Sequence, residues 1–425
     1  MNILKKITTK LQQVPASAFQ EIYEQHLTDA SFLWELREVA LNQPHYNSDD
    51  LFDLEKRIDA HLDGLMTALD ISWELCVEAL EYQQAGEIFV VSVIAFRSRD
   101  TDKIKLAVSE GLKSPRIMKG LISAMAWLPQ SLICDWMFKF LNSKDLNHKF
   151  LSMCVHSARR QHPGEMLSNL LKRNDCLDHK PLRSRMLRLI GELKLFDLRW
   201  ALDEAYADEE PTVKFWVNWS TLMLGDKTAA PQLQPYLKGD GKLQNIAMNT
   251  AFRALPIEQG RAWISQLASE QDFQRLVISA TGVLGDPHAI PWLIEKMRRV
   301  ETAKLAAESF TMITGIDLEK YNLSIDAPDD ISVLPNNDPN DSDVSMDADE
   351  NLPFPDVDKV ALTWQKHGSK YQAGKRYFMG KEICEATLQE KLQDGLQRQK
   401  ISAAYELALV NPQLALVNVK ARIGQ

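Results

Sequence analysis

The residues best equipped for chemistry cluster between positions 148 and 179, where His148, Cys154, His156, His162, Cys176 and His179 follow one another closely. A metal site needs ligands that converge on one point. Cys154 and His156 stand two apart, which on a helix turns them to different faces, and no His-x-x-x-His or His-Glu-x-x-His spacing occurs. The pattern predicts core cysteines and surface histidines, with no metal and no cofactor. Gly-x-Ser-x-Gly, Walker A and G-x-G-x-x-G motifs are absent, and Gly374 and Gly380 around Arg-Tyr-Phe-Met lack phosphate-loop spacing and read as a turn. No catalytic residue is predicted, and the chain is expected not to be an enzyme.

Ten tryptophans raise the question of stacking sites for bases or sugars. Phe215, Trp216 and Trp219 lie in VKFWVNWSTLML, where the helical i, i+3, i+4, i+7 positions are mostly apolar, so core packing is expected. Charge is more suggestive. Between 156 and 194 nine Lys or Arg face four acids. In KPLRSRMLRLIGEL, Leu182, Met186, Leu189 and Ile190 make the apolar stripe while Arg185 and Arg188 project elsewhere and Arg183 borders it. Arg159, Arg160, Arg183, Arg185 and Arg188 are therefore the candidate partner-binding residues, for an acidic partner or for the chain's own Asp-rich segment; the bland alternative is a solvated helix face.

That Asp-rich segment carries the chain's acidity. Eleven acids and no Lys or Arg fall between Asp326 and Asp358, which outweighs the net charge of −9 and leaves the rest slightly basic. Residues 325–356 are rich in Asp, Pro, Asn and Ser, with too few spaced apolar residues to bury a face, and read as a disordered linker. As a calcium loop counted from Asp341 it fails, with Met346 where Gly belongs and Leu352 where Glu belongs. A flexible linker of that length reaches about 30 Å, enough for residues 357–425 to fold back.

The elements that position these residues show a longer order. Leu224-Gly225-Asp226 and Leu284-Gly285-Asp286 are matching breaks, with ALPIEQG (254–260) between them. Gly315 lies one interval beyond; Gly191, CVHSARRQHPG, MAWLPQSLICDWM and IAFRSRDTDK continue the series backwards at 30–34 residues. Each unit reads as an apolar-periodic helix, a short Gly, Pro or Asp break and a second such helix. Phe273, Leu276, Val277, Ala280 and Leu284 give the stripe in the best copy, Asp286 can cap the next helix, and Pro291 sits early in its first turn. Such a unit cannot bury its face alone, so neighbours must stack. The expected fold is all-α: residues 1–87 an N-terminal helical cap, 88–324 an α-solenoid, 325–356 the linker and 357–425 a small helical module with helices beginning near Val360, at 383–396 and at 399–410.

The motif in which Ala280, Leu284, Gly285, Asp286, Pro287, Ala289, Pro291 and Leu293 stand resembles the short HEAT-like repeat of phycobilin lyases. The resemblance implies an α-solenoid rather than an activity. DLFDLEKRIDAHLDGL (50–65), GKRYFMGKEI (374–383) and LQDGLQRQKISAAYELAL (392–409) resemble a family of bacterial HEAT-repeat proteins often encoded beside type VI secretion components, over nearly the whole chain. That resemblance implies a protein-binding scaffold, an adaptor, chaperone or immunity-type accessory whose partner is a secretion effector or apparatus component. The runner-up readings are a bilin lyase or DNA-glycosylase type of HEAT-like solenoid and a structural assembly subunit. A DNA-acting version would need a strongly basic groove, and a pI of 5.6 with only local basic excess argues against nucleic acid. Five cysteines without paired spacing fit a reducing cytoplasm, and neither an export signal nor a membrane span is expected.

Overall fold

A computed structural model describes residues 20–239, 241–328 and 347–423; the side chain of residue 271 is outside that description. The chain is mostly helical, and among the described residues the only strands are four two-residue pieces. No described helix is long and apolar enough to cross a membrane.

Two compact units divide the chain. The first takes the residues up to Leu41, Ser48–Leu167 and those from Lys420 on; the second takes Asn42–Asn47 and Ser168–Val419. This boundary falls inside the stretch 88–324 expected to form one array, and the second unit includes the C-terminal helices that the sequence suggested as a separate module.

In the first unit the helices are α1 (Gln20–Ala40), α2 (Ser48–Met66), α3 (Leu69–Ala79), α4 (Ala85–Ser98), α5 (Thr101–Gly111), α6 (Pro115–Trp127), α7 (Gln130–Asn142) and α8 (Leu146–Arg159). Helix α4, which carries IFVVSVIAF, is apolar on all sides and buried on all sides. It packs on α1 and α6, and α6 in turn packs on α8. Gly120 allows the α4–α6 crossing, because a Cβ there would run into the backbone of Ala85 and Phe89.

The second unit repeats the arrangement with α11 (Lys180–Leu193), α13 (Pro211–Met223), α14 (Lys242–Ala254), α16 (Gln274–Leu284) and α18 (Val300–Thr314) as successive packing neighbours, α13 and α14 being bridged by a 3₁₀ segment over Lys227–Lys238. Shorter helices precede them, α9 (Glu165–Leu170), which the unit boundary divides, and α10 (Asn174–Asp178), or lie between them, α12 (Arg199–Ala205), α15 (Ile257–Ala268) and α17 (Ile290–Lys296). Phe215, Trp216 and Trp219 are buried on α13, in the core as their spacing predicts.

The stops of the long helices carry the period. Residues Arg99, Leu128, Arg160, Lys194, Gly225, Leu255, Gly285 and Gly315 end or immediately follow α4, α6, α8, α11, α13, α14, α16 and α18, so successive stops lie 29 to 34 residues apart. Two chemistries make these stops. Six use a left-handed residue, and two use Leu-Pro, where Leu128 and Leu255 are extended. One sequence assignment shifts: Gly191 lies inside α11 and Lys194, at φ +58°, is the stop. Gly191 is small because Ser220 of α13 crosses it, with Oγ 2.6 Å from where a Cβ would stand.

The acidic stretch also departs from a free linker where it is described. β1 (Ser324–Ile325) pairs antiparallel with β2 (Phe354–Pro355), joining the two ends of the excursion. Asp349 and Leu352 are buried. Residues 329–346 lie outside the described residues. Beyond β2 come α19 (Val357–His367), the hairpin β3 (Tyr377–Phe378) and β4 (Lys381–Glu382), α20 (Glu385–Asp394) and α21 (Gln397–Val410), with helices close to the positions expected. Val360 joins the apolar cluster of α16, α17 and α18, and Phe378, Leu388, Ala403 and Leu407 form a second one against Met312.

Candidate functional site: the C-terminal segment on the helix ends

The final carbonyls of a helix have no partner inside it and must find one elsewhere. In the second unit the segment 371–380 supplies partners for several helices at once. Arg376 donates from Nε to the Leu284 carbonyl at 3.0 Å and from its terminal nitrogens to Arg253 at 2.7 Å and Val283 at 3.3 Å, capping α14 and α16 together. The Tyr377 amide donates to the Gly285 carbonyl at 2.8 Å, the Met379 and Gly380 amides to Met312 and Ile313 at 2.7 and 3.0 Å, and the Tyr371 hydroxyl to Thr314 at 2.8 Å.

Gly285 and Gly315 are therefore more than turn residues. A Cβ on Gly285 would lie 2.6 Å from the Tyr377 carbonyl oxygen, and one on Gly315 would run into that of Met379. Gly225 has Pro412 at 3.0 Å from the equivalent position. At Arg99 and Arg160 the left-handed stop is a long cation, which suits the negative end of the helix dipole. Asp286 likewise does more than cap, since besides the His288 amide it accepts from Gly374 at 3.1 Å and pairs with Arg261 at 2.5 Å.

Behind Arg376 lies a buried ionic group. Glu406 of α21 pairs with Arg376 and, at 3.3 Å, with Arg253, whose guanidinium also donates to Asn249. Burial holds the Arg253 guanidinium down to about 10, opposed by Glu406. Lys194 follows the same rule at the other end of the row. Its ammonium donates to the last carbonyl of α13, Met223, and at 2.7 Å to Ala408 of α21, and burial pushes it down to about 7.

A second polar cluster receives the end of the acidic stretch. Asp349 pairs with Arg275 of α16 at 2.5 Å and with Arg398 of α21 at 3.8 Å. Arg398 also pairs with Glu308 of α18 at 2.7 Å and donates to the carbonyls of Ala348 at 2.5 Å and Asn42 at 2.9 Å. Lys304 donates to the Glu350 carbonyl at 3.0 Å. Glu308 is pushed up by burial, with Arg398 opposing. The described part of the acidic segment thus meets its cations on α16, α18 and α21, away from the 156–194 stretch that its charge had suggested.

The five arginines singled out from the sequence are engaged within the chain, two in the first unit and three in the second. Arg159 donates to the carbonyls of Ala126 and Leu128 at 2.9 and 2.8 Å, closing the Leu-Pro end of α6, and burial lowers its pKa. Arg160 is the left-handed stop of α8 and donates to Ser157. Arg183 pairs with Asp208, while Arg188 pairs with the buried Glu192 at 2.7 Å and lies over the Trp216 ring at 4.6 Å. Arg185 is half-buried and has a partner of its own. Arg159, Arg160, Arg183 and Arg188 thus cap or pair within the chain, which hydropathy patterning alone does not reveal.

Cys154 and Cys176 are buried, His156 is hydrogen-bonded to the Gln161 carbonyl, and His179 caps α11. Among the described residues no group of three or more His, Cys, Asp or Glu could hold a metal ion. Neither a family model, a curated protein nor a solved structure matches this chain.

Proposed function

We propose that the chain is a non-enzymatic protein-binding scaffold, an α-solenoid of HEAT-like repeats that serves a bacterial type VI secretion system in the cytoplasm as an adaptor, chaperone or immunity-type accessory. The observation that carries the scaffold reading is the succession of helix stops at 29 to 34 residues, with α4 packed on α6 and α6 on α8 in the first unit, and α11 on α13, α14 on α16 and α16 on α18 in the second. Stacked units of this kind present extended surfaces on which a partner can lie. Support for the secretion setting comes from the resemblance of residues 50–65, 374–383 and 392–409. The segment 374–383 is also the stretch whose backbone and Arg376 close the helix ends, a structural reason for its sequence to be distinctive. Affinity capture with the tagged protein from a bacterium that carries the secretion system is expected to recover an effector or apparatus component. Recovery of none would count against the secretion setting, and a chain that captures no protein at all would count against the scaffold.

A further inference from the structure

We propose that Arg275, Lys304 and Arg398 form a receptor for an acidic peptide, filled in this structure by the chain's own Asp347-Ala348-Asp349-Glu350, and that a partner enters by presenting an Asp-rich segment in its place. This rests on the scaffold reading and gives its partner a chemistry. The recognition is that of a bound peptide: one carboxylate, Asp349, held between two guanidinium groups, with the carbonyls on either side of it, Ala348 and Glu350, taken by Arg398 and Lys304. Around the segment stand three cations, Arg275, Lys304 and Arg398, of which Arg398 also pairs with the buried Glu308. Such an excess selects an acidic ligand, and charge-assisted bonds fix its register. The clasp is also reachable, because the Arg275 side chain keeps 54% of its exposure even with Asp349 in place. Arg398 holds firm through Glu308 and the Asn42 carbonyl whether or not Asp349 is present, so the site is preformed on one side.

The test uses the full chain and a labelled peptide of residues 347–353, Asp-Ala-Asp-Glu-Asn-Leu-Pro. In the Asp349→Ala protein the internal ligand is weakened, and fluorescence anisotropy is expected to show saturable binding about tenfold tighter than to the unaltered protein. Adding Arg275→Glu should abolish that gain. Equal affinity of the unaltered and Asp349→Ala proteins, or binding that survives Arg275→Glu, overturns the proposal. If Asp349→Ala does not fold, Arg275→Glu alone serves: cleavage before Asp347 and Asp349 by an aspartate-directed protease should quicken about fivefold as the segment loosens, and unchanged cleavage overturns it. A protein that fails these tests yet captures a secretion component loses the clasp and keeps the scaffold.

Discussion

Ser220 of α13 stands where a side chain on Gly191 of α11 would have to go, and its hydroxyl donates 2.8 Å to the Leu187 carbonyl one turn before that glycine. The same joint recurs between α16 and α18, with Ser309 against Gly282 and bonded to the Ile278 carbonyl at 3.0 Å. In both, a glycine lets two long helices approach until a serine can reach backbone that is already paired within its own helix. Gly191→Ala should therefore destabilise the protein by about 1–3 kcal/mol through overpacking, and Ser220→Ala by about 0.5–1.5 kcal/mol. Urea unfolding measures both. A Gly191→Ala protein with an unchanged midpoint would mean that the crossing is looser than this geometry.

The stops make a contrasting prediction. Gly285→Ala meets both a positive φ of 74° and the Tyr377 carbonyl oxygen, and should cost well over about 1 kcal/mol. Arg99→Gly, at an exposed left-handed stop with φ 58°, should be close to neutral, because relief of the left-handed strain offsets the lost cation at the helix end. Equal losses in the two variants, read by thermal melting, would remove the C-terminal segment as the reason for glycine at 285.

Much of the repeat was legible because stop chemistry is local: Gly285-Asp286 and Leu255-Pro256 announce their turns whatever packs on them. Gly191 reads as a stop but marks a crossing. Glycine serves both to end a helix and to let another cross it, and sequence does not separate the two uses. The role of Arg376 was hidden because its acceptors, Arg253, Val283 and Leu284, are backbone carbonyls some ninety or more residues away, with no side-chain signature. Arg159 and Arg183 read as surface charge because a helix end, or a single Asp208, absorbs them without altering hydropathy. Composition averages over thirty residues of the acidic stretch and misses that Asp349 is buried in an ionic cluster.

The Arg253–Glu406–Arg376 group should behave as a unit. Removing Glu406 leaves two guanidinium groups facing each other, one of them with a side chain only 2% exposed, and breaking a buried pair in this way costs about 3–5 kcal/mol. Arg376→Ala should cost a comparable amount, since three backbone carbonyls lose their donor. Because these effects share one network, the double variant Arg376→Ala/Glu406→Ala is expected to lose less than the sum of the two single changes. Additive losses in chemical denaturation would show that the charges act separately.

Acid should loosen the first unit through His156. Burial pushes its imidazole down to about 4, with the hydrogen bond to the Gln161 carbonyl opposing that shift. The folded state therefore resists a proton that the unfolded chain accepts near its ordinary value of 6.5. Its contribution to stability is fully present above about pH 6.5, falls as pH drops from there towards 4, and is gone below, for a total of about 3 kcal/mol. His61 works in the same direction, its pKa lowered by burial beside His26, whose Nδ1 is 3.1 Å away. Replacing His156 with Gln keeps a polar side chain able to donate to Gln161 while removing the titration. Melting temperature plotted against pH between 7 and 4 should fall less steeply in His156→Gln than in the unaltered protein. Parallel curves would assign the acid sensitivity to other groups, with His61→Gln the next variant to measure.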